Sequence, residues 1–137
     1  MATTLALSGC SGSTDSTVAV SSGPTASAAP TSSAELDAAQ FAAALKRPGT
    51  TIVDVRTPQE FAQGHLPGAV NADVSAPDFA ARIATLDPRA PYAVYCQSGN
   101  RSGVAVATMA EQGFTDAYHL GGRIGAWQEA GGEVVTG

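Results

Sequence analysis

At 137 residues, with 44% hydrophobic and 14% charged side chains, the chain is sized for one domain once its low-complexity start is set aside. A formal net charge of −5, with seven Lys and Arg scattered along the sequence, leaves no electrostatic footprint for nucleic acid. Two cysteines are too few for a disulfide framework, and with two histidines and no Cys/His cluster no metal site is expected.

Residues 1–33 are mostly Ala, Ser, Thr and Gly, with Pro24 and Pro30 and no hydrophobic period. Such a stretch buries too little to offset its ordering entropy and is expected to be a flexible tether, with residues 34–137 forming the domain. Within it, Leu7-Ser8-Gly9-Cys10 resembles a bacterial lipobox, in which the chain is cut before the cysteine and the thiol is acylated. The lead-in departs from a secretory leader: nothing before Cys10 is basic, and the apolar run falls short of the usual ~7–15 residues. On this reading the start is truncated or mis-assigned, and Cys10 anchors the domain outside the cell membrane. The alternative is an incidental tail thiol on a cytoplasmic protein.

Ser32-Ser33-Ala34-Glu35 reads as a capping box opening a helix through Leu36, Phe41, Ala44 and Leu45, which Pro48-Gly49 stops. Thr51 to Val55, rich in β-branched residues, predicts a buried parallel strand. Thr57-Pro58-Gln59-Glu60 is a second capping box with Pro at the first helical position. His65-Leu66-Pro67-Gly68 is a turn into a short strand at 69–72. Ser75 is the expected cap of a helix placing Phe79, Ile83 and Leu86 on one face before Pro88. Tyr92 to Tyr95 predicts the central strand. A helix at 103–112 follows, closed at Gly113 by a Schellman contact between Phe114 and Met109. Asp116 to Leu120 is a last strand, and Ile124 and Trp127 lie on one face of a final helix as core residues.

Alternating strands and helices imply an α/β fold in three layers, a mostly parallel sheet with helices on both faces. Ligands in such folds bind beyond the carboxyl ends of the strands. Cys96 stands there, followed by Gln97, Ser98, Gly99, Asn100, Arg101 and Ser102. A loop curling into a helix start gathers backbone N–H groups and partial positive charge, so this thiol is expected to titrate below its free value of ~8.5. Gly99 permits the backbone angles of a tight cradle, and Arg101 can brace the loop or meet an anion. Ser102 is read as the N-cap of the following helix. Asp54, Arg56 and Glu60 read as an ion-pair network at a strand end, and His65 as a residue pinning its turn.

Asp54-Val55-Arg56, Glu60-Phe61, Gly64 to Ala69, Tyr95 to Ser102 and Gly121 to Trp127 occur in the order and spacing of the rhodanese family, which the chain resembles over roughly its last three quarters. The resemblance implies a rhodanese-like three-layer fold and a sulfurtransferase without cofactor or metal. Cys96 would take a sulfane sulfur from a donor such as thiosulfate, hold it as a persulfide and pass it to a thiophilic acceptor. Gln97, Ser98, Gly99, Asn100, Arg101 and Ser102 would form the substrate-binding loop. Implied partners are a small-molecule sulfur donor, a thiol or cyanide acceptor and a possible protein acceptor, with no nucleic acid, membrane contact only through a lipid anchor, and a monomeric domain. Two other readings share the cysteine. One is a non-enzymatic persulfide carrier or sulfane-sulfur sensor in the cell envelope. The other is a small phosphatase or arsenate reductase, disfavoured because phosphatases use Cys-x5-Arg whereas this chain has Cys-x4-Arg.

Overall fold

The computed structural model describes residues 32–137. Five strands, β1 (Glu35–Leu36), β2 (Thr51–Asp54), β3 (Val70–Asn71), β4 (Tyr92–Tyr95) and β5 (Ala117–Leu120), form one parallel sheet in the order β1-β5-β4-β2-β3. Between and after them run α1 (Ala38–Leu45), α2 (Pro58–Gln63), α3 (Phe79–Ile83), α4 (Asn100–Glu111) and α5 (Ile124–Glu129). The α/β three-layer expectation is met.

Strand alternation divides the core in two. Tyr92, Val94 and Cys96 join Val53, Val55, Phe79, Ile83, Val106 and Met109 on the face covered by α3 and α4. Ala93 and Tyr95 join Phe41, Leu66, Leu120, Ile124 and Trp127 on the face covered by α1 and α5. Every residue of β4 and β5 is buried, as expected for strands covered on both sides. β4 is the middle strand, so its carboxyl end opens at the centre of the sheet's edge.

Local chemistry accounts for most boundaries. Thr57 and Glu60 form the expected capping box: Thr57 Oγ1 accepts from the Glu60 N–H at 3.2 Å, and Glu60 Oε2 accepts from the Thr57 N–H at 3.2 Å. The Schellman closure of α4 is complete. The Phe114 N–H donates to Met109 at 3.1 Å, the Gly113 N–H to Ala110 at 3.0 Å, and Gly113 takes φ +91°.

Two starts differ from the sequence reading. Glu35 and Leu36 are not helical but pair with His119 and Leu120, because an edge strand buries Leu36 and satisfies β5 backbone groups. The first helix begins three residues later, capped by Asp37, whose Oδ1 accepts from the Gln40 N–H while Gln40 Oε1 accepts from the Asp37 N–H. Ser75 likewise caps no helix. It turns back on Asp73, and α3 starts at Phe79 behind Asp78. Ser32 and Ser33, placed above in the tether, already bond to the domain through the carbonyls of Phe114 and Ala117. The remaining tether and Cys10 lie outside the described residues.

Candidate active site

The chain leaves β4 at Tyr95 and α4 begins at Asn100, so Cys96 to Gly99 must turn within four residues. Gly99 makes the turn possible on two counts. Its φ of +96° strains any L side chain, and a Cβ there would run into the Gly121 carbonyl. Gly99 is also the N-cap of α4, and having no side chain it cannot serve the N-terminal amides.

The sulfur takes that role. Cys96 Sγ accepts from the Gly99 N–H at 3.0 Å and from the Ser102 N–H at 3.2 Å, with the Ser102 hydroxyl 3.5 Å away. The thiol is fully buried. Burial pushes its pKa up, but the Ser102 hydroxyl and the Ser102, Ser98 and Gly99 amides outweigh it, and the net shift is downward. Donors so placed stabilise the thiolate relative to that of a free cysteine.

Ser102 corrects the sequence reading. It is the third residue of α4, completely buried, and its Oγ meets Cys96, Gly99 and His119 rather than capping the helix. Gln97, Ser98 and Asn100 are exposed around the loop's rim. Gln97 is tied down by Arg56 Nη1, which donates to its Oε1 at 3.2 Å, and by the Ile124 N–H bonding to its carbonyl.

The charged residues separate into two pairs rather than one network. Arg56 and Asp54 are a buried pair, with Nη2 2.6 Å from Oδ2 and Nε 3.0 Å from Oδ1, and Arg56 also donates to the Gly64 carbonyl. Arg101 and Glu60 form a half-exposed fork, both nitrogens at 2.9 Å from the carboxylate. Arg101, by its hydrogen bond above all, holds the Glu60 pKa down to about 2. Bracing is therefore the geometry of Arg101: α2 clamps the start of α4, and the sulfur's stabilisation comes from amides and a hydroxyl. His65 pins its turn as expected, its Nδ1 bonding the Phe61 carbonyl at 2.8 Å while its ring stacks on Phe61.

A cleft of about 280 Å³ opens beside the loop, lined among others by Arg56, Glu60, Gln63, Gln97 and Gln128. Among the described residues no group of three His, Cys, Asp or Glu could hold a metal ion. Sequence reasoning missed His119, whose Nδ1 lies 2.9 Å from Ser102 Oγ. Its signal was strand parity: residues 117 and 119 point to the face of α4.

Residues 37–130 match the rhodanese-like domain. The chain belongs to that family. It is 42% identical over 85 residues to the thiosulfate sulfurtransferase GlpE of Pseudomonas aeruginosa strain LESB58, covering 61% of this chain and 74% of that protein. A rhodanese-related protein from Thermoplasma volcanium superposes with a TM-score of 0.65 at 31% identity, over 76% of this chain and 99% of that one. A rhodanese with anions from E. coli superposes with a TM-score of 0.52 at 28% identity, over 64% of this chain and 99% of that one. The protein is a sulfurtransferase.

The Glu60–Arg101 fork generates a prediction with a defined pH window. Glu60 has a depressed folded pKa, so its contribution is complete above about pH 4.5 and is lost as pH falls toward about 2. Arg101→Ala removes the brace at every pH and should lower kcat/KM for sulfur transfer by roughly tenfold or more through loop misplacement. Arg101→Lys restores charge without the planar fork and should recover only part. Steady-state kinetics of both variants check this, and unchanged values in both would refute the bracing role.

Proposed function

We propose that the Cys96 thiolate attacks the outer sulfur of a donor such as thiosulfate. The Sγ–S bond forms as the donor's S–S bond breaks, and the bonding pair departs with sulfite. The sulfane sulfur then sits on Cys96 as a persulfide until the electron pair of a thiol or cyanide acceptor takes it and Sγ leaves as thiolate. No electrons are gained or lost overall, and no cofactor is required. The observation that carries this reading is the convergence of two backbone N–H groups and one hydroxyl on a single buried sulfur. Donors so placed favour the thiolate, the attacking form, and reduce the need for a base.

The loop suits the same steps. Gly99 and the amides hold the anion, while exposed Gln97, Ser98 and Asn100 face the approaching donor, and Arg101 braces the loop through Glu60. Ser102 serves the sulfur from beneath. The neutral rim leaves room for either a small donor or a thiol on a protein acceptor, with the domain acting as a monomer. A phosphatase reading is weaker: Cys-x4-Arg gives a shorter loop, and the Arg101 fork is committed to Glu60.

Intact mass after thiosulfate exposure tests the persulfide directly. The wild-type protein should gain one sulfur atom, lose it on adding cyanide, and turn over repeatedly. Cys96→Ser should gain none and show no transfer, because a hydroxyl carries no sulfane sulfur. Substantial thiosulfate-to-cyanide transfer by Cys96→Ser would overturn the mechanism, and loading without turnover would favour the carrier or sensor reading.

The lipobox-like Leu7-Ser8-Gly9-Cys10 supports a further part of the proposal, that the domain is held outside the cell membrane by a lipid on Cys10. No helix among the described residues is long and apolar enough to cross a membrane. Expressed in bacteria behind a complete secretory leader joined ahead of Leu7, the chain should incorporate a labelled fatty acid and lose it on Cys10→Ser. Equal labelling of the two would contradict the anchor.

A further inference from the structure

Ser102 Oγ has four neighbours and one proton. His119 Nδ1 is at 2.9 Å, the Gly99 carbonyl at 3.2 Å, and Cys96 Sγ and the Leu120 carbonyl each at 3.5 Å. Both carbonyls can only accept, and so can a thiolate. The imidazole is the one partner able to do either, and its tautomer therefore decides where the Ser102 proton goes.

If Nδ1 is bare, the shortest contact takes the hydroxyl proton and leaves an oxygen lone pair facing the sulfur. That arrangement repels a thiolate. If Nδ1 carries a proton, the ring donates to Ser102 Oγ and the hydroxyl proton is released toward the sulfur, where a charged acceptor makes the stronger bond. We propose that His119 is a positioning residue for sulfur transfer, its Nδ1–H donating to Ser102 Oγ and so directing the Ser102 proton at Cys96 Sγ.

The surroundings of the ring fit this role. His119 is buried, facing α4 through Ser102 and Gly103, with Val94 of β4 on one side and Glu35 of β1 on the other. Glu35 is the charged group beside it, and Cys96 reaches it only through Ser102. Burial lowers the His119 pKa against the opposing pulls of Glu35 and the Leu120 backbone, so the ring is neutral at pH 7 and holds one proton to place. Ser102 and the histidine thus make a two-member relay beneath the nucleophile.

The relay matters most when sulfur departs. As the acceptor's electron pair bonds to the outer sulfur, the Sγ–S bond breaks and its pair returns to Sγ. A hydrogen bond waiting there lowers the basicity of the leaving thiolate and speeds its release. This consequence rests on the persulfide reading, whereas the effect on the resting thiol does not.

Nitrogen-15 NMR of the histidine rings, at a pH above the Cys96 inflection, reads the tautomer without any substitution. The Nδ1–H form is expected, and the Nε2–H form overturns the proposal. Alkylation of the sulfur-free thiol against pH gives the second readout. His119→Leu should raise the Cys96 pKa by about one pH unit, a tenfold loss of thiolate at lower pH. It should slow cyanide-dependent turnover by a similar factor with little change in KM for the donor. His119→Asn, which keeps an N–H donor near the Nδ1 position, should recover most of both. In a Ser102→Ala background His119→Leu should move the thiol no further, because the histidine acts only through the hydroxyl. A full additional shift in that background, or none in the native one, refutes the relay. A protein that takes up no sulfur yet shows these shifts would sink the persulfide reading and leave the relay standing.

Discussion

The interaction from which this site is built is the bond between the Ser102 amide and the Cys96 sulfur. A helix start presents amides with no partner, and an N-cap side chain that serves one of them is worth about 0.5–2 kcal/mol. In this protein the N-cap is Gly99, which has nothing to offer, and the service is done by the Cys96 sulfur arriving from the end of β4. The same contact that completes the helix favours negative charge on the sulfur. Structure and reactivity are coupled at one atom.

That coupling constrains the rest of the fold. The sulfur reaches the helix start only because β4 ends directly beneath it, in the middle of a sheet buried on both faces. The loop closes only because Gly99 fits against the Gly121 carbonyl, at the end of β5. Two ion pairs, one buried and one partly exposed, then fix the loop. Arg56, paired with buried Asp54, holds Gln97, and Glu60 at the start of α2 holds Arg101. The capping box that starts α2 thus does a second job, since Glu60 Oε2 serves both the Thr57 N–H and the Arg101 guanidinium. A sulfur held in this way meets fixed dipoles that favour its charged form without reorganisation.

Much of this was legible in the sequence because the signals are local. The strand, polar loop and helix around Cys96, the Thr57 capping box and the Gly113 closure all depend on residues within a few positions of one another. The contacts that were not legible join distant segments. Ser102 looked like an N-cap because serine beside a helix start usually is one; only the depth of the turn shows that α4 begins two residues earlier and draws the hydroxyl under the sulfur. The partner of Arg101 is 41 residues away, and His119 is 17 residues beyond Ser102 on another strand. Residues 35 and 36 were misread as helix because their capping pattern is genuine in form, and a two-residue edge strand carries no period to oppose it. Tertiary pairing with β5 overrode the local preference there.

Amides and a hydroxyl, acting against burial, hold Cys96 closer to its thiolate form than a free cysteine. The most direct measurement is the rate of iodoacetamide alkylation against pH, in protein carrying Cys10→Ser so that a single thiol reports. An inflection below the free-cysteine value of ~8.5 is expected. An inflection at or above that value would mean that burial prevails over the cradle, and the basis for a preformed nucleophile would be lost.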